Sequence, residues 1–308
     1  MSVNFAKEKD YDEWNFFYQD TLQSFFNLKG YENINDVKTY LNKLRNPTKS
    51  LWGAYQNQTV EVDYGNLLIQ ESYFFRYCPI YSSIIFEVLD KIKNNYRLEN
   101  NSEYLEYSFI SAGPGSEALG FFNWICKNFP SELETYTEIT LYDKYNWGIP
   151  REAIIKALSK KLNNFEGNRI NSIYKDVFSF SNDLEGTNQK IILFQNCLNE
   201  ILVEKDSESE FLNILLKISK SLIPGGMMIF IDRAKYKRTH SFLNATEEKF
   251  KEKSLVQIFN HGELKYINQW KLNKTEIPEI LKNNVFTGES GLIASQGYDV
   301  ICKVFQKK

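Results

Sequence analysis

The residues of this chain whose types and spacing could do chemistry begin at a glycine turn. Positions 109–124 read FISAGPGSEALGFFNW: an apolar pair (Phe109, Ile110), then Gly113-Pro114-Gly115, then Leu119, Phe122 and Ile125 at helical spacing. Strand, tight glycine turn and helix in that order open a nucleotide-sized pocket at the carboxyl edge of an α/β sheet, where helix N-terminal amides face a ligand. A side chain in such a turn would hold the ligand off the backbone. Three later points follow apolar runs: Asp143, thirty residues past Gly113, then Asp176 and the segment Gln195-Asn196-Cys197-Leu198-Asn199-Glu200; a fourth, Pro224-Gly225-Gly226, leads into one. The chain has 2 histidines. His240 lies just past the fifth apolar run and is a weak candidate base, Asn196 and Tyr77 are weak catalytic candidates without an assigned role, and His261 sits in an expected turn.

These points need a sheet to hold them. From about residue 104, apolar runs at 107–112, 138–142, 169–174, 190–195 and 226–232 alternate with helical patterns at 116–129, 150–162 and 208–222. Strands alternating with such helices imply right-handed βαβ units and a mostly parallel sheet. Two further strands are expected at 254–260 and 298–305, and DVICKVF at 299–305 suits a late antiparallel one. The first 100 positions hold 20 of the 47 Phe, Trp and Tyr residues, enough for an aromatic core of their own. Helices are expected there at 12–27, 35–44 and 82–95, with Pro79 at the start of the last. Asn46-Pro47 and 53–65 read as loops. The chain therefore divides into a helical, aromatic-rich region, 1–103, and an α/β domain, 104–308.

Composition excludes several classes. No apolar run approaches the roughly 20 residues that cross a bilayer, so no membrane partner is expected. The N-terminus lacks the basic-then-apolar pattern of a secretion signal, and a cytoplasmic setting is expected. The 4 cysteines are scattered without a CxxC pair, so no metal site is expected. A net charge of −2 and a pI near 5.9 give no global basic field for nucleic acid. The run Arg233 to Arg238 is a local basic strip that could meet phosphates.

Together, Gly113-Pro114-Gly115, Leu141-Tyr142-Asp143, Lys175-Asp176-Val177-Phe178, QNCLNE and the PGG turn leading into MMIFID resemble, in order, the class I S-adenosylmethionine-dependent methyltransferases. The resemblance covers about 104–308. It implies a Rossmann-like methyltransferase sheet, S-adenosyl-L-methionine as cofactor and S-adenosyl-L-homocysteine as product. By that resemblance Gly113 and Gly115 lie under the methionyl part, Asp143 accepts the ribose hydroxyls, Asp176 accepts the adenine amino group, Val177 packs the ring and Asn196 faces the transferred methyl. Two positions depart from the family pattern. Ser111 stands where an acid is usual, and Glu117 stands at the third glycine position, where its carboxylate either compensates or is a helix first-turn acid favoured by the macrodipole. Asp143, Asp176 and Asn196 could also serve as turn residues, Glu200 as a helix-start residue, and Trp147 reads as packing.

The acceptor side is less specific. QNCLNE lacks the prolines and the aromatic of the (D/N)PP(Y/F) turn that clamps a flipped base, which argues against base amines as acceptors. Tyr73, Tyr77 and Tyr81 recur every four residues and mark a lid or acceptor element, or the accessory region's core. Their YxPxY arrangement is loosely similar to the ribosome-associated methyltransferase-like proteins, whose cysteine cluster is missing here. The leading expectation is methyl transfer to O or N of a small molecule, natural-product intermediates included. The alternatives are an RNA or protein methyltransferase and a non-catalytic cofactor-binding scaffold. No oligomeric state is implied.

Overall fold

A computed structural model describes residues 13–96, 104–130, 136–162, 169–203, 208–252, 255–261, 277–293 and 299–308. The sheet is built from β1 (Tyr104–Ile110), β2 (Tyr136–Asp143), β3 (Arg169–Tyr174), β4 (Gln189–Gln195), β5 (Leu222–Arg233), β6 (Leu255–His261) and β7 (Val300–Lys307). Its 7 strands run in the order β3-β2-β1-β4-β5-β7-β6. Neighbours are parallel from β3 to β5, and β7 is antiparallel to both β5 and β6. This is the Rossmann-like order with a late antiparallel strand that the sequence implies. His261 ends β6 opposite Cys302, not in the turn expected for it.

Strand periodicity divides the core between two faces. Tyr107, Phe109, Leu193 and Ile229 point to one side, and Ile110, Ile192, Phe194 and Phe230 to the other. On the first side lie the helices α1 (Glu13–Leu28), α2 (Ile34–Lys43), α3 (Arg45–Ala54), α4 (Leu67–Ile92), α5 (Ser116–Asn128) and α6 (Gly148–Leu162). On the second lie α7 (Leu198–Val203), α8 (Glu208–Ile218) and α9 (Lys237–Lys251). A short α10 (Glu279–Asn284) packs with α2. The switch of sides as the chain passes from β3 to β4 leaves a crevice at the carboxyl ends of β1 and β4.

α4 departs most from expectation. It runs 26 residues, and Pro79 lies inside it rather than at a start. Proline has no amide for the carbonyl four residues earlier. That carbonyl is Phe75, and the Tyr18 hydroxyl of α1 donates to it at 3.4 Å. The helix continues because a tertiary donor replaces the missing local one. α4 also docks closely on α5: a Cβ on Gly120 would lie 2.0 Å from the Ser82 carbonyl, and Ser82 Oγ donates to the Ser116 carbonyl at 2.6 Å. α3 covers Asn46-Pro47, a pair that reads as loop in the sequence; Pro47 sits in its first turn, where amides lack intrahelical partners anyway.

Among the described residues no helix is long and apolar enough to cross a membrane.

Candidate active site

The crevice beyond β1 and β4 measures about 590 Å³, its open mouth included. Of the residues singled out from the sequence, Ser111, Gly113, Asp143, Asp176, Val177 and Asn196 line it. Its two sides begin alike. Ser111 directly follows β1 with φ 53°, and Asn196 directly follows β4 with φ 57°; they are the non-glycine residues at positive φ among those described. Such conformations cost on the order of 1–3 kcal/mol and persist where the surroundings enforce them.

The glycine turn is held at both ends. The Gly113 amide donates to Asp143 Oδ2 at 2.8 Å, and the Gly113 carbonyl accepts from Arg151 Nε at 2.9 Å and also from its Nη2. Arg151 is 1% exposed and donates further to Ser172 Oγ at 2.8 Å. Burial lowers its pKa, with Asp143 opposing. Gly113 itself, at φ +53°, has the Trp147 ring 3.4 Å from where a Cβ would sit. Gly115 is required for another reason: at φ +95° its Cβ would lie 2.9 Å from Leu141 Cδ1, so it serves packing beneath the turn and does not line the crevice.

Both acids also do turn work. Asp143 Oδ1 accepts the Tyr145 amide at 2.9 Å, and Asp176 Oδ1 accepts the Phe178 amide at 2.8 Å. Each carboxylate oxygen keeps a second lone pair, so lining the crevice and holding a turn are compatible.

Glu117 is not brought to the crevice wall. It is 4% exposed, its Oε2 has no hydrogen-bond partner among the described residues, and burial pushes its pKa up to about 8, with nearby Asp143 adding to the rise. A carboxyl held neutral near pH 7 is poorly placed to replace the charge that Ser111 lacks. Tyr77 and His240 also stand off the wall. Tyr77 stacks on Tyr81 at 5.4 Å, beneath the Arg233 guanidinium at 5.5 Å. His240 Nε2 donates to the Ala234 carbonyl at 2.7 Å, which commits that nitrogen.

The basic strip is dispersed. Arg233 turns inward over Tyr55 at 4.6 Å, Lys235 donates to the Tyr55 carbonyl, and Arg238 pairs with Glu208 at 2.7 Å. Helix α9 begins at Lys237, so the end of the strip is helical and not loop.

Sequence reasoning marked Tyr73 as a lid or acceptor element but missed the rest of the aromatic wall. Tyr64, Tyr73, Tyr145 and Trp147 line the crevice, with Tyr64 5.7 Å from Tyr73, 5.9 Å from Tyr145 and 5.4 Å from Trp147. Trp147 therefore packs and lines the site at once. Tyr64 lies between α3 and α4, in a segment that reads only as loop; Gln70 Nε2 anchors it, donating to the carbonyls of Tyr64 at 2.7 Å and Asn146 at 2.8 Å. Glu200 completes this side. Its Oε1 lies 3.2 Å from the Tyr64 hydroxyl and 3.4 Å from that of Tyr55, which are 2.6 Å apart, so the two phenol protons serve two of these three contacts. Burial raises the Glu200 pKa to about 8 against the lowering effect of the Tyr64 bond. Cys197 also lines the crevice, but burial pushes its thiol well up, which keeps it from acting as a thiolate near neutrality.

No family model matches the chain, and no curated protein does. Among solved structures it is similar to the N-methyltransferase NodS from Bradyrhizobium japonicum WM9, at 13% identity over 72% of this chain and 94% of that one, with a TM-score of 0.38. A S-adenosylmethionine-dependent methyltransferase from Clostridium acetobutylicum matches at 9% identity over 74% of this chain and 91% of its own, TM-score 0.41. An rRNA methylase from Streptococcus thermophilus matches at 12% identity over 66% and 87%, TM-score 0.32.

Proposed function

We propose that the chain is an S-adenosyl-L-methionine-dependent methyltransferase of the class I type, acting on O or N of a small molecule. Residues 104–308 form the cofactor-binding unit in this reading, and 1–103 an accessory region that walls the crevice. The observation that carries it is the convergence of Ser111, Gly113, Asp143, Asp176, Val177 and Asn196 on one crevice at the sheet's switch point.

The donor set suits the cofactor. Asp143 has lone pairs for ribose hydroxyls, Asp176 for an exocyclic amine, and Val177 offers apolar contact. Trp147 adds an indole ring to the wall, with its Nε1 buried and without a partner among the described residues. When bound, the cofactor supplies an electrophilic methyl group on a sulfonium. The protein then has to position the acceptor and exclude water, work that the fixed aromatic wall can do. Dispersal of the Arg233–Arg238 charges weighs against a phosphate-contact strip and so against RNA.

Calorimetry with S-adenosyl-L-homocysteine tests the reading. Binding is expected for the wild type, with affinity at least about tenfold weaker in Asp143→Ala, a loss of about 1.4 kcal/mol. Because Asp143 also holds the Gly113 amide, the variant's melting temperature is measured beside it. A wild type that does not bind the homocysteine product ends the proposal.

A further inference from the structure

The crevice wall carries more acid and aromatic surface than the cofactor reading uses. Glu200, the last residue of QNCLNE, lines the crevice with Tyr64, Tyr73, Tyr145 and Trp147, and the cofactor reading gives it no role. Its Oε1 faces the Tyr64 and Tyr55 hydroxyls, while no hydrogen bond among the described residues goes to Oε2. Trp147, 3% exposed, lines the same enclosure, and its indole N–H is buried without a partner among the described residues. The ionisable wall comprises Asp143, Asp176 and Glu200 against one cation, Lys144. A carboxylate backed by contiguous ring faces favours a cation, because ring quadrupoles attract positive charge most strongly where water is excluded.

We infer that the methyl acceptor is a primary or secondary amine, seated as its ammonium between Glu200 and the wall of Tyr64, Tyr73, Tyr145 and Trp147. This rests on the methyltransferase reading above. Glu200 Oε2 takes one proton from the ammonium. The freed nitrogen lone pair then forms the new N–C bond as the C–S bond of the sulfonium breaks, and sulfur keeps that bonding pair as a thioether. The second product is the methylated ammonium, and the Glu200 proton leaves to solvent through the open mouth. No oxidant or further reactant is needed. The surroundings of Glu200 favour a proton acceptor on balance: burial raises its proton affinity most, Asp232 and Asp143 add to the rise, the Tyr64 hydrogen bond and Lys144 lower it, and Tyr55 and Tyr73 lie nearby. Tyr236, past β5, also lies within electrostatic reach.

The experiment is calorimetry on the full chain saturated with S-adenosyl-L-homocysteine, using benzylamine and its isostere benzyl alcohol as probes. Benzylamine is expected to bind at least tenfold more tightly than the alcohol, and Glu200→Gln to abolish that preference while still binding the homocysteine product. In the wild type, amine affinity is expected to rise between pH 6.5 and 8.5, as Glu200 ionises while the amine stays protonated; a residue that only props the fold would leave this profile flat. Equal binding of the two probes, undetectable amine binding, or a flat profile overturns the inference. The wild-type profile decides the matter even if Glu200→Gln fails to fold. Failure to bind the homocysteine product is a separate result, and it refutes the methyltransferase reading itself.

Discussion

Strain and burial at single residues set the first expectations. Ser111 holds φ 53° with a β-carbon in place. Glycine removes that strain but loses more chain entropy on folding, so Ser111→Gly is expected to melt at or slightly above wild type. Ser111→Val, β-branched at a left-handed position, is expected to lose about 1–3 kcal/mol. A denaturant titration that ranks valine above serine would refute enforced strain at the end of β1. Glu117 supplies a pH test. Burial lifts its pKa from 4.5 to about 8 in the folded chain, so the native state binds a proton that the unfolded chain has released. Its contribution is full below about pH 4.5 and is lost as pH rises through about 8. Glu117→Gln is therefore expected to match wild type at pH 5 and to exceed it at pH 9, by a melting shift of about 3 °C or more. Equal melting at pH 9 would show that Glu117 is neither buried nor unpaired. The homocysteine affinity of the same variant is expected to be unchanged, since the residue stands off the crevice.

Among elements, the close approach of α4 to α5 controls how the N-terminal helices sit on the sheet. Gly120→Ala places a carbon within 2.0 Å of the Ser82 carbonyl, and backbone cannot yield as a side-chain tip does. A loss of about 3 kcal/mol or more is expected, at the upper end of overpacking costs. Gly53→Ala is the matched control: it lies in α3 with nothing within 4 Å of the added carbon, and helix propensity alone gives a gain of about 0.5–1 kcal/mol. Similar melting of the two variants would refute the close crossing. This contact also marks what a sequence can reveal. β3 is legible to the residue, and the other strands within a few residues, because apolar runs and helical spacing are local patterns. Gly120 reads as an ordinary weak point in a helix, since its necessity lies in Ser82, far away in the chain. Pro79 misleads for the same reason: the local rule predicts a helix start, and Tyr18 overrides it from α1. In the site, the residues that follow strands are legible because a strand end fixes where its loop begins. Tyr64 is not, because long-range hydrogen bonds from Gln70 hold an otherwise featureless loop at the crevice.

At the scale of the molecule, the question is whether the aromatic N-terminal helices melt apart from the sheet. Their core is continuous with one sheet face: Phe25, Phe74 and Tyr81 belong to the same buried cluster as Phe109, Leu193 and Ile229. α1 packs on α6 and α4 on α5, so the helices that cross between strands are themselves half-covered by the N-terminal ones. Removing that cover would expose the faces of α5 and α6 that α4 and α1 pack against, Gly120 among them. The crevice is shared in the same way, with Tyr64 and Tyr73 contributed from one region and Asp143 and Asn196 from the other. A ligand bound there stabilises both. Thermal unfolding is therefore expected to be a single transition, with calorimetric and van't Hoff enthalpies equal. S-adenosyl-L-homocysteine at a hundred times its dissociation constant is expected to add about 2.7 kcal/mol and to move that transition upward as one, by about 5 °C. Fluorescence of Trp52 in α3 and Trp124 in α5, each read in a variant lacking the other tryptophans, reports the two regions separately. Coincident midpoints with and without ligand are the expected result. A Trp52 midpoint that comes first and ignores the ligand would mean that the N-terminal helices are an independent cap and that Tyr64 and Tyr73 contribute nothing to binding.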